Sequence, residues 1–380
     1  MSQPISAGEC SGKRLDSINP SSSDQSRLVT LDALRGFALC ISFISDAMVP
    51  ALKQVPPSAV RDAVAKQLTH SPWDGMTLVD IGWPAYLCMT GIALNYSISR
   101  RISQGVSKFS IFLGVLRKSL LCVLFAFFME GGFSIPFAQI KFDGLFFRYA
   151  LTILLAGTAH LLLGFRGVLT LVSLLFVGFS AGTVWAAQHY LGTTYQTPEV
   201  NLDLLTQQYS GSRILSRYLW HFPPALLCCL GGLLLAKVFQ AKIPEQTKVW
   251  WLLAIGFGAI NAAWMMDDWI QVNKRIWTTS FSLCAFGVTC LFLAAFHQII
   301  EVWGIRSFKI PFVVFGANPL FAWVVNELVP FDKYAQRAIG YAFEPVLGIY
   351  NVVLVAAVQF TLLWLFFYWL YRNKLLFRIG

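Results

Sequence analysis

The chain has 380 residues, of which 56% are hydrophobic and 13% are charged, and its mean hydropathy is +0.61. An average soluble chain is about 25% charged, so a soluble enzyme, a disordered protein and a coiled coil are excluded. The remaining class is a polytopic helical membrane protein, because apolar runs of about 20 residues match a bilayer core about 30 Å thick. The net charge of +10 indicates either a nucleic-acid partner or a membrane topology, depending on where the charges lie.

The predicted elements begin with a polar, Ser-rich segment over residues 1–30, which is typical of a disordered cytoplasmic tail. Residues 31–375 then form a single transmembrane domain. It is predicted to be all-α, because helices and closed barrels alone satisfy their backbone hydrogen bonds in lipid and the apolar runs are too long for barrel strands. About ten transmembrane helices are predicted, over 36–45, 81–99, 119–129, 149–165, 167–198, 218–236, 249–266, 276–300, 310–326 and 345–371.

The basic residues orient these spans. Threading them from a cytoplasmic N-terminus places 18 of the 29 basic residues and 6 of the 19 acidic residues on the inner side, which gives that side a charge of +12 and leaves −2 outside. Cytoplasmic loops carry an excess of Lys and Arg, so this division predicts both termini in the cytoplasm. The net charge is therefore a topology signal that faces membrane lipids, and no nucleic-acid partner is expected.

The most informative stretch is His-Ser-Pro-Trp-Asp-Gly-Met-Thr-Leu-Val-Asp over residues 70–80, which leads from an outer loop into the second span. Its Gly-containing turn allows His70 to fold back onto Asp80, and a carboxylate placed there would orient the imidazole as it does in general-base histidines. The other interpretation is that His70 is a solvated loop residue and Asp80 caps the start of the helix. The residues alone leave both interpretations open.

Four further stretches carry motifs in the same order along the chain. They are Arg-Leu-Val-Thr-Leu-Asp-Ala-Leu-Arg-Gly over 27–36, Val-Asn-Lys-Arg-Ile-Trp-Thr-Thr-Ser-Phe over 272–281, Pro-Phe-Val-Val-Phe-Gly-Ala-Asn over 311–318 and, as a weaker match, Phe-Asp-Gly-Leu-Phe-Phe-Arg over 142–148. Together with the 70–80 segment, they resemble the heparan-α-glucosaminide N-acetyltransferase family. The resemblance runs from about residue 27 to residue 375.

The resemblance implies a transmembrane acetyltransferase. Acetyl-coenzyme A would be the co-substrate on the cytoplasmic side, and the acceptor would be an amino sugar or envelope glycan on the other side. Its catalytic residues would be His70 and Asp80, with no metal. His70 would deprotonate an acceptor amine or hydroxyl, or carry the acetyl group transiently, and these routes stay open. The only glycosylation sequon, Asn95-Tyr96-Ser97, is at an inner helix end, which favours a bacterial inner membrane with His70 outside.

The matched motifs also provide the expected substrate-binding and acyl-donor-binding residues. Ordinary structural roles compete with this interpretation, because lysines snorkel, tryptophans form interfacial belts and amides join helices within membranes. Three of the side chains can donate hydrogen bonds to the oxyanion of a tetrahedral intermediate, namely Trp277, Thr278 and Asn318. The full set from these motifs is Asn273, Lys274, Trp277, Thr278 and Asn318.

Three more residues are assigned to substrate binding. Trp73 lies within the 70–80 segment and suits a membrane interface. Asp46 ends the first span, where the resembling family usually has Asn, and it would bind a cationic amine or pair with Arg148. The pairing is the favoured interpretation, because isolated charges within a membrane find partners.

Basic residues near the inner side have two interpretations. They follow from topology and contact with anionic lipids, or they bind the phosphates of coenzyme A. The residues considered for phosphate contact are Arg35, Arg100, Arg101, Arg117 and Lys118.

Subunit assembly and two competing functions complete the predictions. Gly178 and Gly182 form a Gly-x-x-x-Gly pair that permits close helix approach and favours a homodimer, as the resemblance also does. The main alternative function is a transporter or flippase of a glycan or small solute without chemistry. A sensor or scaffold that keeps an inactive acyltransferase frame is the third hypothesis, and intact His70 and Asp80 argue against it.

Overall fold

A computed structural model describes residues 29–375, and this part of the chain is helical without strands. Residues 1–28 of the predicted tail lie outside the described residues, and helix α1 begins at Val29. The α-helices are α1 Val29–Leu52, α2 Ala59–Leu68, α3 Leu78–Ser103, α4 Lys108–Met129, α5 Leu145–Ala186, α6 Leu202–Ser210, α7 Arg213–Ser216, α8 Phe222–Gln240, α9 Glu245–Met266, α10 Thr279–His297, α11 Ile310–Gly316, α12 Pro319–Leu328, α13 Phe331–Ile339, α14 Glu344–Leu347 and α15 Asn351–Arg372.

Seven helical segments in residues 29–375 are long and apolar enough to cross a membrane. An eighth span results if α11 and α12, which are bent by 62° at the break between them, are counted together. The predicted all-helical, membrane-type architecture is thereby confirmed, whereas the count of ten spans and the sidedness stay predictions. The seven segments are Val29–Leu52, Lys108–Met129, Leu145–Leu191, Arg213–Gln240, Glu245–Met266, Thr279–Val302 and Glu344–Arg372.

Two helices account for the difference between the ten predicted spans and the eight that are counted when the bent pair is included. Helix α3 has 26 residues but is less apolar, because it carries Asp80 near its beginning and Arg100 and Arg101 near its end. Helix α5 contains 42 residues with a break at Gly164 (φ 63°, ψ −167°), a backbone conformation essentially restricted to glycine. The break lies where two of the predicted spans meet.

Helix α3 is central to the bundle and packs closely against α8. A Cβ atom at Gly91 would overlap the carbonyl oxygen of Cys229, and one at Gly232 would overlap that of Cys88. Small residues on both helices therefore permit direct backbone contact, as is common between helices in membranes. This packing fixes the position of α3 along α8, and with it the position of Asp80.

Helix α1 makes the same kind of contact with α11. A Cβ atom at Gly36 would overlap the carbonyl oxygen of Phe312, and one at Gly316 would overlap that of Asp32. Helix α1 is thus held between α3 and α11, and the side chains on the remaining faces of these helices line two cavities.

Candidate functional site

The loop between α2 and α3 presents His70 beside Asp80, which is one of the two arrangements that the spacing allows. Asp80 is the third residue of α3, and its Oδ2 atom accepts the backbone N–H of Thr77 (3.0 Å), the hydroxyl of Thr77 (3.0 Å) and the backbone N–H of Ser71 (3.1 Å). These bonds form a capping box at the start of the helix. Its Oδ1 atom lies 2.7 Å from Nδ1 of His70. Asp80 therefore caps α3 through one oxygen and contacts the imidazole through the other.

Lys274 completes a three-residue cluster from a loop 204 residues away from His70. Its Nζ atom lies 3.1 Å from Asp80 Oδ1 and 2.6 Å from His70 Nδ1. A single ring nitrogen cannot both donate to the carboxylate and accept from the ammonium. Since donation to an anionic oxygen is the stronger bond, we assign the proton to Nδ1, with Lys274 donating to the same oxygen. The Nε2 atom of His70 is then left as the unprotonated nitrogen.

The cluster shifts the acid–base properties of its two buried members. The Asp80 side chain is 0% exposed, and burial alone would raise its pKa. The hydrogen bond from His70, the charge of Lys274 and the backbone N–H groups outweigh burial and hold the pKa of Asp80 well below its usual range. Burial lowers the pKa of Lys274, against the opposing effect of Asp80. His70 remains 49% exposed, so its ring can reach a substrate.

His70, Asp80 and Lys274 share a cavity of about 210 Å³, named here the outer cavity. Most of its wall is apolar or aromatic, as is usual for a ligand site with a few convergent polar groups. Its lining residues are Ala38, Leu39, Ser42, Ser45, Asp46, His70, Val79, Asp80, Gly82, Trp83, Tyr86, Leu145, Lys274, Trp277 and Trp323.

The predicted pairing of Asp46 with Arg148 is wrong. Asp46 accepts a hydrogen bond of 3.2 Å from the amide of Asn326 and faces the outer cavity. Arg148 instead lies over the indole ring of Trp277, 5.9 Å from its centroid. Arg148 therefore makes a cation–π contact in place of an ion pair with Asp46, and Asp46 is bonded to a neutral amide.

The loop from Asp267 to Thr278 forms the wall opposite α1. Asn273 is fully buried and pairs with Asp74 across the two loops in an isolated β-bridge. Thr278 caps α10 and donates from its hydroxyl to the backbone carbonyl of Gln271 (2.8 Å). Trp277 has a positive φ of 51°, which is a strained conformation for a bulky residue and is typical of functional sites.

Some of the predicted residues support the loops around the outer cavity without lining it. Asn273 and Thr278 shape the loop rather than line the outer cavity. Trp73 also lies outside it, because its indole N–H donates to the carbonyl of Gln196 in the α5–α6 connection (2.8 Å). These residues therefore position the loops that carry His70 and Lys274.

A second, larger cavity of about 360 Å³, named here the inner cavity, adjoins the first along α3. Tyr86 lines both cavities, and it packs against Trp83 and Tyr149 with ring centroids 5.5 and 5.4 Å away. A layer of aromatic rings thus separates the two cavities. Among the predicted residues, the inner cavity contains Arg35, Lys118 and Asn318.

The other basic residues predicted to contact phosphates do not line this cavity. Arg100 and Arg117 are exposed on the helix surface. Arg101 is partly buried, and its guanidinium lies against Gly114 of α4. The structure therefore narrows the basic group at the inner cavity to Arg35 and Lys118.

Sequence reasoning missed a set of contacts that holds the 70–80 loop. Asp74 accepts from the hydroxyl of Tyr195 (2.6 Å) and from the amide of Gln271 (2.6 Å). These partners are 121 and 197 residues away, and neither stands in a motif that would have pointed to it. Together the two hydrogen bonds join three loops around His70.

No protein-family model matches this sequence, and no curated protein matches it. The interpretation of the site therefore rests on its residues and geometry.

Proposed function

We propose that the chain is an integral-membrane acyltransferase that moves acetyl from cytoplasmic acetyl-coenzyme A to an extracytoplasmic amino sugar or envelope glycan. The observation that carries the proposal is the placement of His70, with its carboxylate partner Asp80, in a cavity that adjoins a basic one across a single aromatic layer. This is the arrangement that a transfer between two compartments needs. The motif resemblance supports the same reaction, in a bacterial inner membrane with the His70 loop outside.

The inner cavity suits the acyl donor. Lys118 and Arg35 line this cavity, although Arg35 also pairs with Asp32 (3.5 Å), and coenzyme A carries several phosphates that basic groups bind. The long pantetheine arm would extend toward Tyr86 and bring the thioester to the aromatic layer. The anionic part of the molecule would stay on the inner side, so the protein would have to transfer only the acetyl group.

The outer cavity suits the chemistry. The Nε2 atom of His70 accepts a proton from the acceptor nitrogen or oxygen while that atom attacks the thioester carbon. Collapse of the tetrahedral intermediate breaks the C–S bond, and the imidazolium returns the proton to the departing thiolate. In the other route, Nε2 attacks the thioester itself and acetyl-histidine then reacts with the acceptor. Asp80 orients the ring in both routes.

Asp46 gives the outer cavity an acceptor preference. Its carboxylate accepts a hydrogen bond from the amide of Asn326, forms no ion pair within residues 29–375 and faces the same cavity as His70. An amino sugar carries an ammonium group at neutral pH, which this carboxylate would attract. The proposed acceptor is therefore an amine in preference to a neutral hydroxyl.

A transporter or flippase is the second candidate, because α11 and α12 form a broken helix pair beside the inner cavity. Discontinuous helices near the middle of a membrane are typical of transporter binding sites. A transporter would move its solute without consuming acetyl-coenzyme A, and the hydrogen bond between His70 and Asp80 would have no role in it.

The deciding experiment is turnover by the purified protein in proteoliposomes. Acetyl-coenzyme A is supplied with glucosamine, and acetylated product and free thiol are measured for wild type and for His70→Ala. We expect wild type to form both products and His70→Ala to lose at least about a thousandfold in kcat while still binding acetyl-coenzyme A, since general-base or covalent catalysis is removed.

His189→Ala is the matched control, because His189 is exposed and stacks on Trp185 away from both cavities. It should retain wild-type turnover. A wild-type protein that never binds acetyl-coenzyme A would refute the acyltransferase, and full turnover by His70→Ala would refute the site.

A further inference from the structure

The proposed reaction needs hydrogen-bond donors for the thioester oxygen, and the residues first considered do not supply them. The indole N–H of Trp277 donates to the hydroxyl of Ser282 (3.0 Å). The hydroxyl of Thr278 is bound to a backbone carbonyl, and Asn318 lines the inner cavity instead. Lys274 is held by Asp80. The donors have to come from elsewhere in the outer cavity.

Two other tryptophans line the outer cavity with unused donors. Within residues 29–375, no group accepts a hydrogen bond from the indole N–H of Trp83 or Trp323, and neither nitrogen is sealed inside the protein. A ring of Tyr86 covers one face of Trp83, and the edge contacts of Phe146 and Tyr149 cover further sides. Both indoles line the outer cavity, which is the open space beside them.

We propose that the indole N–H groups of Trp83 and Trp323 bind the carbonyl oxygen of the acetyl group and stabilise the oxyanion that forms there. This inference rests on the proposed acyltransferase function and assigns it two further catalytic residues. Indole nitrogens donate hydrogen bonds and do not accept them, so they suit a site where negative charge develops.

The acceptor ammonium first loses one proton to solvent, which gives the neutral amine. The amine nitrogen then forms a bond to the thioester carbon, the C=O electron pair moves to oxygen, and the two indole N–H groups hold the resulting oxyanion. The acceptor proton goes to His70 Nε2. The oxygen electron pair then reforms C=O, the C–S bond breaks, and the proton passes from His70 to the thiolate.

Both tryptophans are held rigidly, as preorganised donors must be. Trp83 follows Asp80 by three residues on one face of α3, so the contacts that fix Asp80 also fix the height of Trp83 relative to His70. Trp323 packs edge-on against Phe43 of α1, with ring centroids 5.7 Å apart. A cavity of about 210 Å³ keeps both indoles within reach of an acyl group beside His70.

The test replaces each N–H while retaining an aromatic ring, in Trp83→Phe and Trp323→Phe. We expect each variant to lose about 100-fold in kcat with little change in the KM for acetyl-coenzyme A, because the donors act on charge that develops in the transition state. A second measurement is the infrared carbonyl stretch of a bound ketone analogue of acetyl-coenzyme A. It should lie at lower frequency in wild type than in either variant.

The control is Trp264→Phe, which removes an indole N–H from an exposed position on α9 and should leave kcat and the carbonyl stretch unchanged. Wild-type kcat in both cavity variants, or an unchanged carbonyl frequency in them, would overturn the inference while leaving the acyltransferase intact. If wild type itself transfers no acetyl group, the failure belongs to the proposed function.

Discussion

At the scale of single residues, Asp80 combines two roles that are usually separate. Its Oδ2 atom closes the first turn of α3 by accepting hydrogen bonds from Ser71 and Thr77. Its Oδ1 atom accepts from His70 and Lys274. A helix cap therefore fixes the position of the carboxylate that orients the imidazole, and loss of the carboxylate should affect both stability and turnover.

The low pKa of Asp80 predicts a loss of stability in acid. A carboxyl with a lowered folded-state pKa stabilises the protein above its unfolded value, which is about 4, and that stabilisation is lost as the pH falls. We expect the thermal unfolding midpoint of wild type, followed by tryptophan fluorescence in detergent, to fall more steeply between about pH 5 and pH 2 than that of Asp80→Asn.

The control for this measurement is Asp62→Asn, because Asp62 is an exposed carboxylate on α2 whose ion pair with Arg61 is solvated. Its unfolding curve should parallel wild type across the range. Equal acid sensitivity in wild type and Asp80→Asn would contradict the assignment.

At the scale of helices, direct backbone contact sets the geometry of the site. Gly91 and Gly232 let α3 and α8 touch, and Gly36 and Gly316 do the same for α1 and α11. Helices α1 and α3 carry most of the lining of the outer cavity, so a change in either contact would displace His70's partner relative to Lys274.

The α3–α8 contact can be tested with Gly91→Ala. The added methyl group would overlap the carbonyl of Cys229, so the helices must separate, and we expect a destabilisation of about 1–3 kcal/mol from overpacking. Thermal unfolding of the purified protein measures this. Gly258→Ala on α9, where the added Cβ meets open space, should be neutral or slightly stabilising; a similar loss in both variants would argue against close packing as the cause.

At the scale of the whole molecule, the two cavities differ in charge. The inner cavity has Arg35 and Lys118, whereas Asp46 lies at the outer one. The aromatic layer at Tyr86 divides them. An anionic donor and a cationic acceptor would therefore be drawn to opposite ends of one path. Gly178 and Gly182 are exposed on α5 with open space around them, so the predicted homodimer contact stays available to a second subunit.

This charge separation predicts a selective effect of Lys118→Met. Removal of one phosphate contact, worth about 1.4 kcal/mol, should raise the KM for acetyl-coenzyme A about tenfold and leave the KM for the acceptor unchanged. Steady-state kinetics with each substrate varied separately measure this. Arg117→Met removes a neighbouring exposed charge and should change neither constant. If Lys118→Met changed only the KM for the acceptor, acetyl-coenzyme A would not bind at Lys118.

Much of the helical frame could be predicted from the sequence. Composition gave the class of protein, and apolar runs located the helices to within several residues, because lipid permits few alternatives to helix. The run over 149–165 and the first part of the run over 167–198 lie in the single segment α5, which has its break at Gly164 and ends at Ala186. The run over 310–326 is a bent pair. Local hydropathy does not predict a kink, because a kink depends on the backbone angles of a single residue such as Gly164.

Within the site, the sequence alone made the pairing of His70 with Asp80 one of two possible arrangements, because ten residues and a Gly-containing turn allow the two to meet, and the structure shows the contact. The tertiary structure decided the rest. It brought Lys274 to them from 204 residues away, gave Asp46 the amide of Asn326 in place of Arg148, and converged Trp83 and Trp323 on one cavity. The physical reason is that contacts within a turn follow from chain geometry, whereas contacts between distant helices follow from how their surfaces pack.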